Sequence, residues 1–391
     1  MKRLFWNIGF VFTVLFILTF EFDYSILPSI YEWINPFFEL FVSATGFLFF
    51  GLEKGFSPVI SSDSIGLYVH VFNLFLIAIG IVSTLEIATR QNEVNLRLYL
   101  SILLTFYLSL QLLIYGFDKV FKAQFFLPES NTLFTPLKDI SKDLLYWSTI
   151  GVSRGYSLFL GLAEVITGLF LLFRKTRLLG IIFGVGIMIN VVAVNFGFDI
   201  SVKVYSLFLL SGFVVLASPY FGFLSQVFIQ QKPAIFPLEK ESFFAIKPTL
   251  KKGLKWALIL LFLAEGLFPF LATNNFNDDT FPRPKFHGAY EIINSESDLE
   301  NVFVHRQGYL IFKNKKDEFQ DFQFEVDSIH KLFLVFDYEN KVHSILKYQE
   351  RENQLISISG EINEQKINYN LRKIVLKNSA LLKSNFHWTT E

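Results

Sequence analysis

The sequence predicts a polytopic α-helical membrane protein of about seven spans, followed by a C-terminal antiparallel β meander closing towards a small barrel. Three observations predict it. The 391 residues are 52% hydrophobic and 18% charged, with Phe occurring 49 times, where an average soluble chain is about a quarter charged. Seven stretches approach the roughly 20 mostly apolar residues that a bilayer-crossing helix needs. Beyond residue 273 that pattern stops, and apolar residues alternate with polar ones at the period of a strand.

Met1-Lys2-Arg3 precede an apolar run from Leu4 to Phe20 that resembles a secretory signal. The run ends in Thr19-Phe20-Glu21-Phe22-Asp23 rather than a small-residue cleavage site, so it reads as an uncleaved anchor. The spans then fall at 4–20, 65–88, 96–117, 154–173, 177–197, 201–221 and 253–272. An eighth apolar stretch, 31–52, carries Glu32, Pro36 and Glu39 in its first half and reads as a helix lying at the interface or dipping into the membrane.

Charge bias separates seven spans from eight. With seven, Lys2, Arg3, Arg90, Arg97, Arg174, Lys175 and Arg177 lie on one side with the cluster Lys232, Lys240, Lys247, Lys251, Lys252 and Lys255. The positive-inside tendency makes that side the cytoplasm. The 118–153 loop, with Lys119, Lys122, Lys138 and Lys142, falls outside against that tendency, and the C-terminal region falls outside with it. The expected protein sits in an inner (cytoplasmic) membrane with a periplasmic β domain. Its divisions are an N-terminal span and interfacial segment (1–58), a helical core (59–221), a basic cytoplasmic loop (222–252), the last span (253–272), a linker (273–285) and the β domain (286–391).

Within that domain Phe322, Phe324 and Val326, then Ile356 and Ile358, then Ile367, Tyr369 and Leu371 keep period-two spacing, giving about seven short strands. Breaks are expected at Asn314–Asp317, Glu339-Asn340, Glu350–Asn353 and Gly360–Glu364. Five of the six histidines lie here, His287, His305, His330, His343 and His387; their spacing fits no zinc pattern, and they read as surface residues.

With 35 acidic and 35 basic residues there is no basic footprint, and no nucleic-acid partner is expected. Cys is absent, which excludes disulfides, thiol chemistry, Cys-ligated zinc and iron–sulfur clusters. Phosphate-binding loop and nucleophile elbow are absent too.

Ionisable groups at membrane depth are the site candidates, because burying them in hydrocarbon is costly. Glu164 lies ten residues past Arg154, about 15 Å down its helix. Gly161 and Gly168 share its face, so another helix can approach there; the next helix supplies Gly180, Gly184 and Asn190. Two roles are open for Glu164: a ligand-binding group, or a packing group hydrogen-bonded to Asn190 or to a basic residue. Glu265 is a second carboxylate, mid-way along the last span. Nearer one surface lie Asp118-Lys119, Asn195, Asp199 and Lys203. Asp199 is placed to cap the sixth span, while Lys119 and Lys203 are placed to pair with Asp199, Asp118 or lipid phosphates.

The run Tyr115-Gly116-Phe117-Asp118-Lys119, the run Gly161-Leu162-Ala163-Glu164-Val165 with Gly168, and the turn Arg174-Lys175-Thr176-Arg177-Leu178-Leu179-Gly180 resemble the DoxX-like membrane proteins. So do Asn190 and Asn195-Phe196-Gly197-Phe198-Asp199-Ile200-Ser201-Val202-Lys203-Val204-Tyr205-Ser206, and Ser61-Ser62-Asp63-Ser64. The resemblance covers roughly 60–220 and is to the longer branch, found largely in Bacteroidetes, in which a four-helix core is extended at both ends. It implies a quinone-linked role, because the family's name comes from a subunit associated with thiosulfate:quinone oxidoreductase. Two functional readings follow. One is a non-catalytic subunit or scaffold of a cell-envelope complex, with membrane lipids and an envelope protein as partners. The other is a membrane redox or lipid-binding component holding a quinone or another isoprenoid lipid near Glu164 and Asn190. The missing metal and thiol ligands favour the first, and no cofactor is evident.

Overall fold

The computed structural model describes residues 2–53, 56, 59–88, 95–237, 248–293, 298–337, 341–352, 355–362, 365–376, 379–383 and 389. Arg90, Lys240, Lys247, Glu339-Asn340, Asn353, Glu364 and His387 lie outside the described residues. The chain forms two compact units, one of residues 1–124 and 155–276, the other of residues 125–154 and 277–391.

The first unit is helical: α1 (Lys2–Thr19), α2 (Tyr31–Phe50), α3 (Ile65–Ala88), α4 (Arg97–Val120), α7 (Arg154–Leu172), α8 (Arg177–Gly197), α9 (Lys203–Ala217), α10 (Phe221–Leu224) and α11 (Pro248–Thr273). Short α5 (Ser130–Leu133) and α6 (Lys142–Gly151) belong to the second unit. Among the described residues, seven helical stretches are long and apolar enough to cross a membrane: α2, α3, α4, α7, α8, α9 with its continuation to Ile229, and α11. The number matches the sequence expectation but the set does not. It includes α2, and α1 is the shorter apolar helix.

Connectivity decides between α1 and α2. At one end of α1, Arg3 pairs with Glu86; in the middle, Phe12 meets Phe75 at 6.5 Å; at the other end, Thr19 Oγ1 lies 2.9 Å from His70 Nε2. So α1 runs antiparallel along the length of α3, and the end of α1 and the start of α3 share one side of the membrane. Only α2 lies between them, and among the described residues of 51–64 no helix returns. Backbone without internal hydrogen bonds cannot cross lipid, so α2 does not cross.

Its contacts agree. Phe38 packs on His70, Thr45 accepts from Asn73 Nδ2 and Phe50 meets Phe72. About 18 Å of α2 thus falls on about one turn of α3, so the two axes cross steeply. α2 is nonetheless apolar almost all round, exposing Phe37, Leu40, Phe41, Phe47, Leu48 and Phe49. Such a surface suits lipid. The crossing helices are therefore α1, α3, α4, α7, α8, α9 and α11.

The second unit is a closed barrel of eight antiparallel strands, each paired with its neighbours in sequence and β1 with β8. The strands are β1 (Gly288–Ile292), β2 (Leu299–Val304), β3 (Tyr309–Asn314), β4 (Phe319–Asp327), β5 (Leu332–Phe336), β6 (Val342–Arg351), β7 (Leu355–Ile362) and β8 (Gln365–Lys373). Alternate residues fill the interior, including Val302, Phe312, Phe324, Phe333, Leu346, Tyr348, Ile358 and Tyr369; eight strands leave room for little more than side chains. β2 is one of the strands whose burial does not alternate. Val302-Phe303-Val304 is buried on both faces because Phe303, with Ala289 and Ile311, packs outward against Phe134 beside α5. Gly360, expected in a break, lies inside β7, close against Ile345 and Leu346 of β6. The expected linker is also fixed in part, since Asp278 is bound by Arg283 and Arg306.

Candidate functional site: a polar track inside the helical unit

One face of α4 carries Tyr107, Gln111, Tyr115 and Lys119, each four residues from the next and therefore stacked along the helix. The stripe runs about 18 Å, from mid-helix to the end next to the α1–α2 connection. Its members meet three other segments: α9, the α1–α2 connection and α7. Tyr107 and Tyr205 of α9 share a hydrogen bond between hydroxyls at 3.0 Å, and Gln111 Nε2 donates to the Tyr24 hydroxyl at 3.2 Å. Lys119 Nζ donates to Glu164 Oε2 of α7 at 2.7 Å and lies 5.4 Å from the Tyr115 ring centre. Aromatic rings wall the track, with Phe20 stacked on Tyr205 at 4.4 Å and Phe22 beside Tyr24 and Tyr115.

Close helix approach builds the Lys119–Glu164 pair. A Cβ on Gly116 would run into Val165 and the Gly161 carbonyl, and one on Gly161 into the Gly116 carbonyl. Seven residues away, Ser109 Oγ donates to the Gly168 carbonyl at 2.8 Å, so α4 and α7 are antiparallel neighbours. The approach expected at Gly161 and Gly168 is thus made by α4. Gly180 and Gly184 pack elsewhere, against α7 backbone and the Phe213 ring of α9.

Glu164 is 5% exposed and Lys119 7%; with both charged the pair is neutral overall, which lowers the cost of burying either group. Asn190 is not Glu164's partner: it is exposed on α8. Glu265 is 2% exposed, and its carboxylate accepts the backbone N–H groups of Ser25, Ile26 (3.0 Å) and Leu27 (2.8 Å). It fastens the α1–α2 connection to α11. Asp199 does not cap α9. Asp63 does, accepting from Lys203 N at 2.7 Å and Val204 N at 3.0 Å, while Asp199 takes a positive φ of 56° and pairs with Lys203 Nζ at 2.8 Å. Asn195 Nδ2 reaches the Val202 carbonyl at 3.5 Å.

The six expected residues therefore do not form one pocket. Lys119 and Glu164 come together, Lys203 and Asp199 form a second pair, Glu265 ties a loop, and Asn190 stands apart. Tyr24, Tyr107, Gln111, Tyr115 and Tyr205 were not anticipated. The four-residue spacing along α4 was a readable signal for three of them.

The second unit has its own ionic cluster. The β2–β3 turn closes on Gly308, at φ 79°, and presents Arg306. Arg306 Nε binds Glu129 Oε1 at 2.7 Å, its Nη1 binds Asp278 Oδ2 at 2.5 Å, and its guanidinium lies 3.7 Å from the Phe126 ring centre. Glu129 Oε2 also pairs with His287 Nε2 at 2.8 Å. Burial pushes the Glu129 carboxyl up, but the His287 hydrogen bond, with the charges of His287, His305 and Arg306, holds it below its ordinary value. Asp278 is lowered likewise, burial being outweighed by Arg283 and Arg306. Burial lowers His305 against the pull of Glu129. This cluster clasps residues 125–154 to the barrel. Of the other histidines, His330 pairs with Asp327 and His343 stacks on Phe322, and no group of three or more metal-ligating side chains occurs among the described residues.

No family model matches the chain, and no solved structure matches it. A 57-residue stretch is 37% identical to the uncharacterised protein YwoB of Bacillus subtilis (strain 168), a match covering 15% of this chain and 37% of that protein. The chain thus spans little more than a third of the curated relative it matches.

Proposed function

We propose that this chain is a non-catalytic, DoxX-like membrane scaffold that holds its barrel, with the 125–154 segment, outside the cytoplasm for a partner in the cell envelope. One observation carries the reading: several buried ionisable groups among the described residues of each unit are committed to internal ties. Lys119 neutralises Glu164, Glu265 fastens the 25–27 backbone, and Arg306 joins Glu129 to Asp278. The DoxX-like reading draws support from the Lys119–Glu164 contact, which joins two of the segments that carry the resemblance. Placement in an inner membrane, with the N-terminus cytoplasmic and the barrel periplasmic, draws on the basic residues of the N-terminal side.

The test is native mass spectrometry of gently purified protein. A stoichiometric protein partner is expected, lost when the chain is cut after Thr273. Stoichiometric quinone or isoprenoid lipid with no protein partner would instead support the second reading, a lipid- or quinone-binding redox component. One observation favours that alternative: Gln111 Oε1 is buried in the track without a hydrogen-bond partner among the described residues and would accept from a ligand hydroxyl.

A further inference from the structure

Asn190 lies about 20 Å along α8 from Arg177, at hydrocarbon depth, yet its side chain is exposed and no hydrogen bond to it occurs among the described residues. An amide facing lipid without a partner is costly and unusual. It is not isolated. Leu179, Phe183, Gly186, Asn190, Ala193 and Gly197 are all exposed, and their spacings of four, three, four, three and four place them on one stripe. Alternating steps of four and three are those of the heptad seam of a left-handed helix pair.

The opposite face of α8 is already used. Gly180 and Gly184 are filled by α7 and by Phe213, whereas a Cβ on Gly186 or Gly197 would meet nothing within 4 Å. The two unused glycines and Ala193 flank the amide and would let a second backbone come close.

The occupant follows from the amide. Asn carries both donors and an acceptor, so it complements itself. Two copies inserted with the same topology are related by a two-fold axis along the membrane normal, which sets their α8 helices parallel and brings equivalent residues together. In parallel coiled coils a single interfacial Asn fixes register and pair number in the same way. We propose that this stripe is a homodimer interface, in which α8 packs on α8 of a second copy and the two Asn190 amides hydrogen-bond across the axis.

The chain has no Cys, so single-cysteine variants report position without background. In native membranes, mild oxidation should give covalent dimers with Gly186→Cys, Asn190→Cys and Ala193→Cys. It should give none with Phe159→Cys or Leu207→Cys, which are also exposed, on α7 and α9. In liposomes at graded protein-to-lipid ratios, subunit counting should show Asn190→Leu dimerising about tenfold more weakly, with an unchanged thermal midpoint for the monomer. Gly186→Ile, which fills the seam and leaves the amide, should weaken pairing too. A monomeric wild type, cross-links at the control positions, or full dimerisation of both variants would overturn the proposal.

Discussion

At the scale of single residues, a helix sequence gives depth but not facing. Glu164 stands out in the sequence because ten residues of apolar helix separate it from Arg154. Its partner Lys119 lies 45 positions away in sequence, and which of the nearby cations or amides meets it depends on how α4 and α7 are rotated. The partner changes what a substitution does. Glu164→Gln removes the carboxylate that Lys119 Nζ binds at 2.7 Å, and breaking such a buried pair costs about 3–5 kcal/mol. We predict a lowered thermal midpoint for that variant and a substantial recovery for Glu164→Gln combined with Lys119→Gln, whose amides bond to each other. A single Gln variant as stable as the wild type would sink this account of the pair. In the clasp, His305 titrates below its ordinary value when folded, so protonation favours the unfolded state. Its share of stability is complete above about pH 6.5 and declines as the pH falls towards the lowered value. Glu129 and Asp278, held low, keep theirs above the ordinary carboxylate range and lose it as the pH falls through their depressed values. Acid melting of the full chain should therefore begin below pH 6.5, and His305→Asn should remove that first step while keeping the later one.

At the scale of elements, long apolar runs were legible and pairings were not. The seven crossing helices could be read because lipid demands length and apolarity together. α2 satisfies both and still does not cross, because the chain must return to its starting side within residues 51–64. We predict that single cysteines replacing Ser29 and Ser61, which flank α2, react with an impermeant thiol reagent from the same membrane face. Labelling from opposite faces would restore α2 as a span. The strands show a matching limit. Alternation marked β4, β7 and β8 but not strands such as β2, whose outer face meets Phe134. That packing gives the barrel a cover from outside its own strands. A fragment of residues 277–391 should melt at a lower temperature than the same fragment linked to residues 125–154, since Phe303 and Ile311 lose their cover. Equal midpoints would show the cover to be dispensable.

At the scale of the whole molecule, residues 125–154 and 277–391 form one unit, which requires them to share a side of the membrane. The four crossings between them, α7, α8, α9 and α11, satisfy that requirement independently of any charge count. A reporter active only in the cytoplasm should accordingly be silent when fused after Glu391 and active when placed in 222–252. The reverse pattern would invert the orientation while leaving the crossings intact. The two-part composition of the β unit was not visible beforehand, because compositional breaks mark where a domain starts but not which distant segment completes it.

That composition also sets an order of events during synthesis. Residues 125–154 are made before the helices α7 to α11 exist, and their apolar contact, Phe134, then waits for β1 to β3 to appear. At ordinary translation speeds of about 5–20 residues per second, the interval is roughly 9–36 s. Throughout it the segment is an unpartnered strip of chain, open to proteases and to chaperones. The closing of the barrel on it thus acts as a late checkpoint, passed only by molecules whose intervening helices were all inserted in the right sense.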